Sequence, residues 1–205
     1  ANTTADITAK TITVDAIGVD KVYDGSTAAA IAALGTTGLV AGDAVTFGNA
    51  SAAFADKNAG SNKAVTVSGI TASGADAGNY SYNTTAHTTA DISPLGIIVD
   101  ATGTNRVYDG STADAVTLAS AGVLSGDTVT FTGTGSFLNK NVGTARAVSV
   151  SGIAASGADA GNYSYNTTAN TTADITAKTI MVDAIGVDKV YDGSTAATIA
   201  ALGTT

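Results

Sequence analysis

Few residues in this 205-residue chain have the chemistry for catalysis or ligand binding. His87 is the sole histidine, and Asn170 stands in its place in the next copy of the same stretch. General acid–base work needs a positioned partner beside the imidazole, and no such partner accompanies His87. Asp76 with Asn79, their counterparts Asp159 with Asn162, and Asp20 with Asp24 have the oxygen chemistry of Ca²⁺ ligands. Calcium takes about six to eight oxygens, usually from several carboxylates in one loop. Gly-Ala-Asp-Ala-Gly-Asn supplies two side chains per loop, so turn bonding to backbone is the favoured account and no cofactor is expected. Lys57 and Lys140 are the lysines that keep an amine in both copies, the minimum for an amide cross-link to Asp or Asn. Asn2, Asn49, Asn79, Asn83, Asn162, Asn166 and Asn170 begin Asn-x-Ser/Thr sequons, which a chain this rich in Asn, Ser and Thr generates by composition. No Ser/His/Asp order, zinc-ligand spacing or phosphate-cradling glycine loop is present. No enzymatic activity is expected.

The elements that position these residues recur. Lys21-Val22-Tyr23-Asp24-Gly25-Ser26-Thr27 returns as Arg106–Thr112, with Tyr108, Asp109 and Gly110, and as Lys189–Thr195, with Tyr191, Asp192 and Gly193. The tyrosines lie 85 and then 83 residues apart, the mark of a tandem repeat. Residues 7–37 and 175–205 differ only at Thr13/Met181 and Ala30/Thr198. Residues 65–92 and 148–175 differ at three positions. The shorter period comes from two single-residue losses, one between Gly25 and Asp43 and one between Phe47 and Phe54. Such losses belong in loops, because a one-residue slip within a strand turns its buried face outward.

The chain contains no Glu, Gln or Cys, and its seventeen acids are all Asp. Abundant Thr, Val, Gly, Ser and Asn favour strands and turns, so the fold class is all-β. Ile12 and Val14 alternate with polar neighbours, as do Val65 and Val67, and Tyr80 and Tyr82 share one strand face. Thr27–Leu34 is a strand or a short helical turn. Strands at about 8–12-residue spacing, seven or so per repeat, give tandem small Ig-like β-sandwich units of about 84 residues forming an elongated rod. The expected division is 1–7, the end of a preceding repeat; 8–92 and 93–175, two full repeats; and 176–205, the start of a third. A cut into 38–121 and 122–205 is the alternative. Pro94, the only proline, stiffens the joint after Ser93.

The Tyr-Asp-Gly motif, the later Gly-Ala-Asp-Ala-Gly-Asn-Tyr-Ser run and the Ala-Asp-Ile joint together resemble the YDG-type repeats of large Gram-negative exoproteins and adhesins, the filamentous-haemagglutinin-like proteins among them. The resemblance implies a secreted or cell-surface, non-enzymatic β-domain stalk serving cell adhesion, biofilm or extracellular fibre formation. It supplies no ligand residues.

Net charge is −8 with nine basic residues, so no nucleic-acid partner is expected. No apolar run approaches about 18 residues, so no membrane insertion is expected either. The expected partners are neighbouring repeats of the same chain. The alternatives are a multivalent module binding host or surface glycans, and a self-assembling fibre subunit. Tyr23, Asp24 and Gly25 with their two sets of counterparts, and Asn79–Tyr80 with Asn162–Tyr163, are assigned as structural corners: Gly for the turn, Asp for backbone bonds, Tyr for packing. Gly110→Val should therefore lower the thermal stability of its own repeat, read by circular dichroism, and an unchanged melting curve would refute the assignment.

Overall fold

The computed structural model describes residues 1–204 and is all-β, with two single-turn 3₁₀ helices at Ala77–Asn79 and Ala160–Asn162. Two compact units account for the chain. One holds residues 1–100, 119–132 and 153–167, and the other holds 101–118, 133–152 and the chain from 168 onward. The first thus contains all of the first repeat together with the turn and loop of the second that meet it.

The first repeat carries ten short strands rather than seven: β1 (Lys10–Ile12), β2 (Asp15–Val19), β3 (Lys21–Val22), β4 (Ala30–Gly35), β5 (Thr46–Gly48), β6 (Ser51–Phe54), β7 (Gly60–Ser68), β8 (Thr71–Ser73), β9 (Tyr80–Tyr82) and β10 (Thr85–Ser93). Within Thr27–Leu34 the residues from Ala30 onward are strand β4, and Ala28 makes an isolated bridge to Ala53. The main sheet runs β3-β10-β7-β6, and β1–β9, β2–β4 and β5–β8 form three ribbons. Two pairings, β1 with β9 and β3 with β10, are parallel, a feature the antiparallel Ig-like layout lacks. Parallel neighbours need a long crossover, and here it is most of the repeat: Ile12 lies beside Tyr82.

The alternating segments bury as their period dictates. Val65 and Val67 are fully enclosed, with Val14, Tyr23, Phe54, Ile70 and Ile92 around them. Thr13 and its counterparts Ile98 and Met181 all point to solvent, so changes there are tolerated.

The alternation over Lys10–Val19 predicts one strand, but the chain breaks at Thr13–Val14 because a side chain replaces a neighbouring strand. Val14 N–H donates to Asn83 Oδ1 at 2.7 Å, and Asn83 Nδ2 donates to the Val14 carbonyl at 2.9 Å. Asn166 grips Val99 in the same way, at 2.8 and 3.0 Å. A primary amide presents the same donor and acceptor as a peptide group, so it satisfies a buried backbone that no strand reaches.

The second repeat continues with β11 (Leu95–Ile97), β12 (Asp100–Gly103), β13 (Arg106–Val107), β14 (Ala113–Asp114), β15 (Val116–Ala119), β16 (Thr130–Phe137), β17 (Gly143–Ser156), β18 (Tyr163–Tyr165) and β19 (Ala169–Thr176). One of the two single-residue losses has a visible result. Where β5 and β6 are separated by Asn49 and Ala50, the shortened copy runs as the unbroken strand β16. In the second unit β13-β19-β17-β16-β14 form one sheet over Phe137, Val148, Val150 and Ile175. The chain then forms the hairpin of β20 (Val182–Val187) and β21 (Thr198–Thr204).

Gly74 opens the loop after β8 at φ +117°, and any Cβ there would collide with the carbonyl of Ala44. Both the backbone angle and the space demand glycine. Gly74→Ala should cost about 1–3 kcal/mol in urea unfolding of the first unit. An unchanged midpoint would show that the loop relaxes without cost.

Candidate functional site

The Tyr-Asp-Gly corner is assembled by the cation that precedes it. Lys21 Nζ donates to Asp24 Oδ1 at 2.8 Å, to the Ser26 carbonyl at 2.8 Å and to the Ala28 carbonyl at 3.0 Å. Asp24 Oδ1 also accepts the Ser26 N–H at 2.9 Å. Lys21 and these bonds hold the Asp24 carboxyl down to about 2. Gly25 completes the turn at φ +78°, with Gly110 at +84° and Gly193 at +79°. The other copies repeat the bonding: Arg106 to Asp109 at 2.6 Å and Lys189 to Asp192 at 2.8 Å. The leading Lys/Arg, which the sequence reading left without a role, is therefore a cap on the turn.

Tyr23 leaves this corner and enters a buried polar cluster shared by the two repeats. Its hydroxyl donates to Asp127 Oδ2 at 2.7 Å, and the Tyr163 hydroxyl donates to the same oxygen at 2.6 Å. Lys57 Nζ donates to Asp127 Oδ1 at 2.7 Å and lies 3.0 Å from Asp159 Oδ1. The two tyrosine rings meet edge to face at 5.6 Å, and Lys57 sits 5.7 Å from the centroid of the Tyr23 ring.

Backbone bonds fix the frame. Leu124 N–H donates to the Tyr163 hydroxyl oxygen, Thr128 N–H to Asp159 Oδ2, and Ala59 N–H to Asn162 Oδ1. Asn162 Nδ2 reaches Asn58 Oδ1 at 3.3 Å. The first repeat contributes Tyr23, Lys57, Asn58 and Ala59, and the second contributes Leu124, Asp127, Thr128, Asp159, Asn162 and Tyr163. The Asp127 side chain is 4 % exposed, so its charge is tolerable only because every direction around it holds a donor.

These environments decide protonation. Burial pushes the Asp127 carboxyl up, but the Lys57 ammonium and two phenol hydroxyls outweigh it and hold the group below its ordinary value. Asp127 first, then Tyr23 and Asp159, raise Lys57. Burial, followed by the bond to Asp127, pushes Tyr163 up to about 12 and raises Tyr23 in the same direction. Lys57 Nζ thus sits as an ion pair between the Asp127 and Asp159 carboxylates, at 2.7 and 3.0 Å.

The remaining candidates sit in plain structural settings. Asp76 Oδ2 accepts the Ala44 N–H at 2.8 Å, and Asp20 Oδ1 accepts the Asp91 N–H at 2.7 Å. Among the described residues no group of three or more His, Cys, Asp or Glu lies together. His87 is on the exposed face of β10, near Thr66. Of the sequon asparagines, Asn83, Asn162 and Asn166 commit their side-chain amides to structural bonds. Asn79 and Tyr80 lie at the equivalent of Asn162–Tyr163, where Tyr80 donates to Asp43 at 2.5 Å and Asn79 is exposed. Tyr108 is half-buried, and Tyr191 is exposed.

The YDG domain matches residues 8–90 and again 93–173. The chain belongs to the YDG domain family. No curated protein matches it. In each YDG domain the name-giving tyrosine belongs to the same Lys/Arg-capped corner, and in the first it reaches into the second domain's turn. The signal for that contact was present in the sequence as the retained amine at Lys57 and Lys140 and the retained Gly-Asp turn at Gly42-Asp43 and Gly126-Asp127. What the sequence lacked was any sign that the two meet across a repeat boundary.

The depressed Asp127 value means that its stabilisation is present above the ordinary carboxylate range near pH 4 and is lost as pH falls through the folded value. The raised Tyr163 and Lys57 values mean that theirs is present below about pH 10 and is lost at higher pH. The stability of the first unit should therefore fall at both extremes. Asp127→Ala should cost about 3 kcal/mol near neutral pH and flatten the acid limb. A variant that keeps the wild-type pH profile would remove this cluster as the cause.

Proposed function

We propose that this chain is a structural, non-enzymatic segment of a secreted or cell-surface bacterial adhesin. Its YDG domains act as small all-β units in a rod that sets the reach and stiffness of a stalk. One observation carries the reading: the buried polar cluster around Asp127 joins residues of one repeat to residues of the next. Lys57, Tyr23, Asp127, Asp159 and Tyr163 saturate one another, which leaves no free nucleophile or base among them and serves cohesion.

The joint also has no slack in sequence. Strand β10 ends at Ser93, Pro94 follows, and β11 begins at Leu95. A proline with a fixed φ between two paired strands limits hinge motion, and the ion-pair cluster limits it further. Repetition of the same corner and the same Gly-Asn-Tyr loop in both copies suits a mechanical role, because a rod needs equivalent units and a receptor site needs one special unit.

Small-angle X-ray scattering of the 205-residue chain and of its Lys57→Met variant tests this. The expected result is an extended wild-type particle and a variant of the same secondary structure with a broader, more flexible distance distribution. A compact wild-type particle, equal flexibility in the two proteins, or specific binding on a glycan array would overturn the mechanical reading.

A further inference from the structure

The turn in each Tyr-Asp-Gly corner forces a chemically labile pair on the chain. Gly25, Gly110 and Gly193 sit at φ +78°, +84° and +79°, which glycine adopts without strain. The side chain before each must accept the Ser N–H two residues on, and Asp does so in all three corners. Asp-Gly therefore occurs at 24–25, 109–110 and 192–193, and nowhere else in the sequence. An Asp-Gly step is prone to isomerisation, since the glycine has no side chain to hinder attack of its nitrogen on the aspartyl carboxyl. Burial gives no shelter here: the three Asp side chains are 55, 56 and 57 % exposed.

We propose that Asp24, Asp109 and Asp192 are sites of spontaneous isoaspartate formation, and that Lys21, Arg106 and Lys189 are the residues that hold this reaction in check. At the first corner, the Gly25 nitrogen attacks Asp24 Cγ of the uncharged acid. The nitrogen gives up its proton, the carboxyl hydroxyl leaves as water, and a five-membered imide closes. Water then adds to one of the two imide carbonyls. Opening at Cγ restores Asp24. Opening at the Asp24 main-chain carbonyl leaves the chain running through Cγ, an isoaspartate of unchanged mass. Solvent water is the only co-reactant.

The corner opposes the first step in two ways. Attack needs the side chain to swing Cγ onto the Gly25 nitrogen, but Asp24 Oδ1 is bound by Lys21 Nζ at 2.8 Å and by the Ser26 N–H and hydroxyl at 2.9 Å each. Arg106 and the Ser111 N–H bind Asp109 Oδ1 at 2.6 and 2.8 Å. Lys189 and the Ser194 N–H bind Asp192 Oδ1 at 2.8 and 2.9 Å. Attack also needs an uncharged carboxyl. Lys21, followed by the Ser26 N–H, holds Asp24 down to about 2. Against an ordinary value near 4, the reactive fraction at neutral pH falls by roughly 10- to 100-fold. Once formed, isoaspartate removes its own restraint, because its carboxylate stands one carbon nearer the main chain and the turn is one carbon longer. Tyr23 directly precedes the altered residue, so the cation guards the placement of its hydroxyl on Asp127 as well.

The test holds the wild-type chain, Lys21→Met and Lys21→Arg folded at neutral pH for weeks, with wild type in guanidinium as the unfolded reference. Isoaspartate at each Asp-Gly step is counted by electron-transfer fragmentation of the digested chain. Folded wild type should isomerise at all three sites about tenfold or more slowly than the unfolded chain. Lys21→Met should raise the rate at Asp24 by about tenfold, while Asp109 in the same molecules stays slow. Lys21→Arg, which copies the corner at Arg106, should keep the wild-type rate. If circular dichroism shows that Lys21→Met does not fold, Lys189→Met gives the same comparison at Asp192, whose corner lies outside the buried cores. The proposal is overturned if folded wild type isomerises as fast as the unfolded chain. It is equally overturned if a folded Lys→Met variant leaves its own site slow, or if Lys21→Arg accelerates as Lys21→Met does.

Discussion

A single carboxylate that water barely reaches governs the contact between the two repeats. Asp127 lies at the end of a Gly-Asp turn, and an isolated charge there would be prohibitive to bury. It is kept ionised by an ammonium from the other repeat and by two phenol hydroxyls, one from each side. The donors are held in turn: Tyr23 by the capped corner, Tyr163 by the Leu124 N–H, and Lys57 by a second carboxylate. Removing any one leaves a buried group unsatisfied, which costs more than the lost bond itself. The cluster therefore behaves as a unit, and it ties the corner motif, the Asp-Lys-Asn turn and the Gly-Asn-Tyr loop into one constraint.

That constraint explains why the motif has its particular chemistry. A turn needs only glycine and a small polar residue. The tyrosine is required because its ring can be buried at the repeat boundary while its hydroxyl reaches the carboxylate. The leading Lys or Arg is required because the turn exposes two carbonyls and a carboxylate to one point in space. The Asp and Asn of the later loop are used for backbone N–H groups and for Lys57.

Much of the fold was legible before the structure. Alternation at Val65/Val67 and Tyr80/Tyr82 located the strands, and glycine with Asp located the turns, because those preferences are local. Two kinds of feature were not legible. The break at Val14 depends on Asn83, which is distant in sequence and reads equally well as a sequon or a turn residue; only proximity shows that its amide stands in for a strand. The parallel pairings of β1 with β9 and β3 with β10 depend on how the ends of a repeat meet, which no periodicity encodes. The candidate site followed the same division. Its residue types were visible as retained lysines, aspartates and tyrosines, but their meeting across a repeat boundary required three dimensions.

The way the polar cluster is divided has a consequence for how such proteins change in length. Each complete domain carries one half of a joint, Tyr and Lys, toward its successor, and the other half, the two Asp with Asn and Tyr, toward its predecessor. Whole domains can then be gained or lost by unequal recombination without rebuilding either neighbour, since every new boundary brings matching halves together. A substitution in one half, by contrast, meets its partner only in the other domain, so the two halves of a joint are coupled across the repeat boundary.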